Sequence, residues 1–249
     1  MNPSHTGNGI FRVVFLQRRL RVRLIVLVVV SLVPALAWAW FFREQDLYEK
    51  EPPGALLLTF LAGMIAVIPA IVVEEPFRTT METGSILSRV VIAFLVVGLG
   101  EEALKLLAVY LSAYRRVEFT EIIDGMIYSI TAALGFAAVE NLLYTLAFGI
   151  QVAPARALVS SLAHVGFSGL AGYHVGLARF ASQGSNRQAI KGLILASFLH
   201  GIYNTFIMLK LVSPLSIVLL IGLLYWGLFR RLRQAASLSP FRHRLDEGK

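Results

Sequence analysis

The chain has no cysteine among its 249 residues, which excludes a disulfide framework, a thiolate nucleophile and thiolate metal ligands. Charge is also scarce. Only 15% of residues are charged against 57% hydrophobic, a balance that no soluble domain of this size covers with polar surface. There is no HExxH, the helical pair of histidines around a glutamate that serves one large class of metalloproteases. No inverted repeat or matched pair of interrupted helices is evident, which weakens a transporter reading.

Apolar runs fill most of what is present. Crossing a hydrocarbon core of about 30 Å takes roughly 20 helical residues, and runs of that order stand at 24 to 42, 55 to 73, 88 to 111, 122 to 149, 157 to 178, 189 to 210 and 214 to 229. They are too long and too continuous for barrel strands, and in lipid a helix satisfies its own backbone polar groups. The expected fold class is therefore all-α, a polytopic integral membrane helical bundle of about seven spans, within a range of six to eight. One membrane-embedded domain, residues 24–230, lies between basic tails at 1–23 and 231–249, both expected to be cytoplasmic. The first run has the charged front of a signal peptide, but its length and the lack of a small-residue cleavage site favour a retained anchor.

The net charge of +8 does not describe a nucleic-acid patch. Its cations gather in the two flanks, Arg12, Arg18, Arg19, Arg21 and Arg23, then Arg230, Arg231, Arg233, Arg242 and Arg244, as positive-inside topology requires. Seven spans would nevertheless put the two tails on opposite sides. The stretches 43 to 54 and 74 to 82 are net acidic, whereas Arg115, Arg116, Arg179, Arg187 and Lys191 mark later loops as cytoplasmic. If 55 to 73, with Gly63 and Pro69, does not fully cross, every basic loop falls inside. A break within 122 to 149 would repair only the tail.

The informative residues are ionisable groups inside apolar runs: Glu101, Glu102, Lys105, Glu140, His164, His174 and His200. An ionised acid at mid-bilayer costs about 2.5 to 3.5 kcal/mol, so three glutamates would cost roughly 8 to 10, close to the whole stability of a domain. They must face one another, a cation or water. Lys105 follows the two adjacent glutamates by four and three positions, within reach along one helix face. Glu140 and Asn141 follow small residues that admit a neighbouring helix closely. His200 and Asn204, four apart, share a face. Gly166, Gly169, Gly172 and Gly176 form a small-residue face after His164. His174 lies about 15 Å along the helix from His164 and about 80° around it, outside a common site. His5 and His243 fall in the tails and are expected to be solvated. Each of these groups also has a structural reading: a local ion pair for Lys105, an interhelical hydrogen bond for Glu140, a packing role for His200.

These residues fall in five ordered blocks: DLYEKEPPGALLLTFLAG (with Asp46, Tyr48, Glu51 and Pro52), EEALK, EFTEIIDGMIYSITAALGFAAVEN, the His164 helix, and LHGIYN. Together they resemble the PrsW family, bacterial membrane proteases related to the CAAX-protease and bacteriocin-processing group. Ile122 and Ser129 depart from the family's usual proline and glycine. The resemblance implies an intramembrane endopeptidase of the bacterial plasma membrane, with Glu101, Glu102, Glu140, His164 and His200 as the active-site set. By analogy with the related Ras-converting enzymes, His200 and Asn204 correspond to an oxyanion-binding pair and Glu140 takes the place of a helix histidine. Lys105, Asp124 and Asn141 are expected to support them. The implied substrate is a membrane protein such as a single-pass anti-sigma factor.

Amide hydrolysis needs activated water, an oxyanion stabiliser and an acid for the leaving amine, and these side chains supply all three. Glu140, His164 and His200 could also hold Zn2+; the sequence leaves metal and carboxylate mechanisms both open. Among competing readings, GFSG at Gly166 to Gly169 matches the rhomboid serine-protease pattern with His200 as base, but leaves three glutamates unexplained. Buried Glu and His could instead line an ion pathway, and a non-catalytic binding or immunity protein would bind without turnover.

Overall fold

The computed structural model describes residues 6–211 and 213–242; His5, His243 and Arg244 lie outside them. The described chain is helical throughout, in the class expected. Helix α1 runs Thr6–Arg43 and α2 runs Pro53–Glu74. A 3-10 turn at Glu75–Phe77 leads into the short α3, Arg78–Thr83. Next, α4 (Ile86–Ile92) passes through a π-helical stretch, Ala93–Gly98, into α5 (Leu99–Ser112). Helix α6 is Ile122–Phe148. A second interrupted helix joins α7 (Ala153–Ala155), a π-helical stretch (Arg156–Ser160) and α8 (Ser161–Phe180). Helices α9, Ser185–Met208, and α10, Pro214–Ser237, complete the bundle.

Among the described residues, five stretches are long and apolar enough to cross a membrane: Gln17–Arg43, Pro53–Thr83, Ile122–Phe148, Ser185–Met208 and Leu215–Ser237. The two interrupted helices, 86–112 and 153–180, coincide with expected runs but are not among the five. They are also the helices that carry Glu101, Glu102, Lys105 and His164.

Helix α6 occupies the centre, buried without interruption from Ile123 to Ala138. Close backbone contact explains its composition. A Cβ on Gly172 would lie 2.4 Å from the Gly125 carbonyl oxygen and one on Gly176 would lie 2.3 Å from that of Ile122, so glycine is required where α8 crosses α6. On the opposite flank, a Cβ on Gly63 of α2 would stand 2.0 Å from the Ala132 oxygen. The outer faces of α1, α2 and α10 expose Val29, Val33, Ile65, Ile68, Val218 and Leu219, as lipid contact demands.

The ends of the bundle correct the topology inferred from charge. The acidic loop 44–52 meets loop 113–121, which carries Arg115 and Arg116: the Thr120 hydroxyl donates to Glu49 (3.1 Å) and the Tyr128 hydroxyl to Glu51. Arg179 lies over Tyr114 and Arg231 over Tyr173, near the ends of their helices. The first loop therefore shares an end with the later basic loops instead of lying opposite them. Helix α2 is continuous through Pro69 and α6 has no break, so the second expected repair is not made.

Gly172→Ala should destabilise the protein by about 1–3 kcal/mol through backbone overpacking. Thermal denaturation in detergent checks this, and an unchanged melting temperature contradicts the assigned α6–α8 contact.

Candidate functional site

Lys105 is the centre of the buried polar groups. A single turn of α5 brings its Nζ 2.9 Å from Glu101 Oε2 and 2.9 Å from Glu102 Oε1. A third neighbour at 2.9 Å, His164 Nδ1, comes from α8. Three acceptors match the three ammonium protons, and the cation also sits 4.3 Å from the Phe136 ring centroid. The helical spacing thus gives two contacts, and packing of α8 beside α5 gives the third.

The adjacent glutamates have different surroundings. Glu102 is fully engaged: Oε1 pairs with Lys105 and lies 3.0 Å from His200 Nδ1, while Oε2 accepts from the Ser168 hydroxyl at 2.7 Å. Glu101 Oε2 accepts from Lys105 and lies 3.9 Å from His200 Nε2, and the Glu101 carboxyl also faces that of Glu74. His164 and His200 stand edge to face with centroids 5.2 Å apart, and Phe167 stacks on His200 at 5.0 Å.

Glu140 closes the far side. Its Oε2 lies 2.9 Å from His164 Nε2, and Oε1 pairs with Arg156 at 3.0 Å. Arg156 also donates to Asn141 Oδ1 and to the Ser160 hydroxyl, and its guanidinium lies 3.7 Å above the Tyr144 ring centroid. Asn141 in turn donates to Ser161. The π-helical stretches immediately precede these groups, one before Glu101 and one, containing Arg156, before His164. An extra residue in the turn re-aims the following side chains, a common device at functional sites.

The expected set is brought together with three differences. Glu101, His164 and His200 each offer a ligand atom, all within 4.8 Å of one another, so Glu101 stands where Glu140 was expected in the ligand group. Glu140 instead faces the other nitrogen of His164. Asp124 is remote: sixteen residues before Glu140 on α6, it lies about 24 Å away along the helix. Asn204 is half-buried one turn beyond His200 and makes no hydrogen bond among the described residues. His174 bonds Gln188 at 3.2 Å, away from the cluster as expected.

Three participants were missed. Arg156 fell just outside the expected fifth run, and its pairing with Glu140 depends on tertiary contact. Ser168 was weighed only as a nucleophile; its hydroxyl is bound to Glu102 and not to His200, which leaves the GFSG reading without its base. Glu74, half-buried at the end of α2, interacts electrostatically with Glu101, Glu140 and Lys105, although the sequence placed it in a loop. Counted as ionised, four carboxylates (Glu74, Glu101, Glu102 and Glu140) face two cations (Lys105 and Arg156), so the cluster is two positive charges short with neutral imidazoles.

That deficit and the donor chemistry suit a divalent metal. His200 has one nitrogen held by Glu102 and the other toward Glu101; His164 has one nitrogen held by Glu140 and the other toward Lys105. A carboxylate behind each imidazole is the usual means of fixing ligand orientation. Lys105 now stands among these donors, so metal binding must shift or share its contacts. Glu101, Glu102, Lys105, His164 and His200 are buried, whereas Glu140 is partly exposed. A cavity of about 520 Å³, lined by Ile71, Glu74, Arg78, Leu143 and Tyr144 among others, reaches their edge at Glu74.

A family model described as PrsW family intramembrane metalloprotease matches residues 51–229. The chain is similar to "Protease PrsW" of Geobacillus kaustophilus, 34% identical over 209 residues, covering 84% of this chain and 92% of the relative. It is also similar to the proteins of that name from Halalkalibacterium halodurans, 30% identical with 85% and 98% covered, and Bacillus subtilis, 29% identical with 84% and 95% covered. No solved structure matches the chain.

Arg156→Met removes a charged partner from Glu140 and Asn141 and should lower stability by about 1.5–3 kcal/mol. Arg156→Lys should recover part of the loss. Equal melting temperatures for wild type and Arg156→Met would contradict the pairing.

Proposed function

The chain belongs to the PrsW family of intramembrane metalloproteases, and from that membership we propose how its buried residues cut a peptide bond of a membrane protein. It is a multi-pass membrane protease, and the observation that carries the mechanism is the joining of Glu101, His164 and His200 in one buried group.

These three residues would hold Zn2+, the metal suited to a ligand set of two imidazoles and a carboxylate. Zinc there would supply Lewis acidity and acidify a water for attack on the scissile carbonyl. Glu102 orients His200 through Nδ1, and Glu140, anchored by Arg156, orients His164 through Nε2. Lys105 pairs with both adjacent glutamates, offsets one of their two charges, and keeps the helices together while the site is closed. Glu101 is the carboxylate ligand in the metal reading and, in the metal-free carboxylate mechanism, the group that takes a proton from water; Glu102, with both oxygens occupied, is a positioning residue. Asn204 is free to donate its amide to the carbonyl oxygen of a bound substrate. Glu74 and the adjoining cavity form the path by which water and the substrate chain enter.

All seven long helical stretches are assigned as crossings, with the interrupted pair shielded from lipid by its neighbours. The end bearing Arg115, Arg116, Arg179, Arg187, Lys191 and the residues after 230 is then cytoplasmic, and the N-terminal tail lies opposite. Glu140, near the C-terminus of α6, and His164, near the start of the next helix, place the chemistry toward the outer half of the membrane. A substrate such as a single-pass anti-sigma factor would be cut there, close to the outer surface; support for that class is family resemblance.

Purified protein and a single-pass substrate in proteoliposomes test the reading. Glu101→Gln should abolish cleavage without loss of folding, and chelation should stop wild-type turnover until Zn2+ is restored. Full activity in metal-free protein, confirmed by elemental analysis, would overturn the metal assignment and leave a carboxylate mechanism. Asn204→Ala should lower kcat by about 10² to 10³ with little change in KM; an unchanged kcat would remove Asn204 from the oxyanion role. Single cysteines introduced at Lys50 and Arg116 into this cysteine-free chain should label from the same membrane side, and labelling from opposite sides would contradict the topology.

A further inference from the structure

Two of the sequence blocks singled out at the start contribute acidic residues that the catalytic cluster does not use. Asp46, in the turn after α1, and Glu121 and Asp124, at the start of α6, each place a carboxylate oxygen within 4.8 Å of the other two. All three residues are buried, as is Glu51 beside Asp124.

The hydrogen bonding of these carboxylates is one-sided. Asp46 Oδ1 accepts the backbone N–H groups of Tyr48 and Glu49 at 3.0 and 3.2 Å, and Oδ2 has no partner. Asp124 Oδ2 accepts those of Thr120 and Glu121 at 2.6 and 2.9 Å, and Oδ1 has no partner. Glu51 Oε2 accepts the Tyr128 hydroxyl, and Oε1 has none. Helix capping and turn formation account for the bonded oxygens; of the rest, Asp46 Oδ2 is buried without a partner, Asp124 and Glu51 face each other, and Glu121 lies toward Ser239.

No Lys or Arg forms an ion pair with these four carboxylates among the described residues: Arg43 and Lys50 pair with Glu44, and Arg116 with Glu118. An unpaired buried carboxylate is costly.

We propose that Asp46, Glu121 and Asp124 bind a hard divalent cation, Mg2+, Mn2+ or Ca2+, with Glu51 as a neighbouring acceptor. All donors are oxygen, the preference of such ions and not of zinc. With ligands about 2.3–2.6 Å from Ca2+, two of them can be no more than about 5 Å apart, and the three oxygens meet that limit. One oxygen of each aspartate is fixed by backbone amides while the other is free to coordinate, an oriented ligand of the kind metal sites use. The ion would tie the loop between α1 and α2 to the start of the central helix. This site is separate from the histidine cluster: Glu140, which contacts His164, lies about 24 Å from Asp124 along α6.

The test uses full-length protein in detergent, stripped with EDTA and titrated separately with Mg2+, Mn2+ and Ca2+ by calorimetry and thermal denaturation. At least one ion should bind saturably and raise the melting temperature in wild type and equally in Glu101→Gln. Asp46→Asn and Glu121→Gln should weaken that binding by about tenfold or more. The proposal is overturned if no ion binds at millimolar concentration, if both variants bind as wild type does, or if Glu101→Gln abolishes binding. If the variants fail to fold, Tb3+ luminescence excited through tyrosine in wild type decides: emission displaced by one of the three ions supports the site, and no emission overturns it.

Discussion

A lysine ammonium surrounded by two carboxylates and an imidazole, deep among helices, is the constraint around which the catalytic end is arranged. Lys105 alone cannot neutralise Glu101 and Glu102, and a buried charge without a partner is expensive enough to threaten the fold. Other groups must therefore converge: Ser168 and His200 on Glu102, His164 on Lys105, Arg156 on Glu140. Each link fixes one helix against another, so the interactions that make the charges tolerable also hold the histidines in place. The negative excess left after this pairing favours a metal cation in a protein that belongs to a metalloprotease family.

Much of this was legible from the sequence because the membrane penalises polar residues so heavily. Glutamates and histidines within apolar runs had to meet, and Glu101, Glu102, Glu140, His164 and His200 do. The spacing of Lys105 from both glutamates read directly as contact. The detailed assignment was not legible. Whether Glu101 or Glu140 faces both histidines depends on the rotation of α5 and α6 about their axes, and π-helical stretches alter that rotation without a sequence signal. Arg156 and Glu74 lay at segment ends, where charge is ordinary and boundaries are least certain.

The placement of loop 44–52 was not legible for a related reason. The positive-inside rule counts Lys and Arg, and acidic residues contribute little to it, so the acidic character of loop 44–52 did not put it on the outer side. Its carboxylates instead gather with Glu121 and Asp124 beneath the loop between α5 and α6. The two ends of α6 thus carry separate polar assemblies, joined by a middle section of small and apolar residues that lets α2 and α8 approach within backbone contact.

The central claim, that mutual neutralisation around Lys105 holds the active site together, is tested by a double-mutant cycle on stability. Lys105→Met alone should destabilise by about 3–5 kcal/mol because it strands buried glutamates. Adding Glu102→Gln should recover a substantial part, giving a coupling of about 0.5–3 kcal/mol. Strictly additive losses, or a Lys105→Met protein as stable as wild type, would contradict the account.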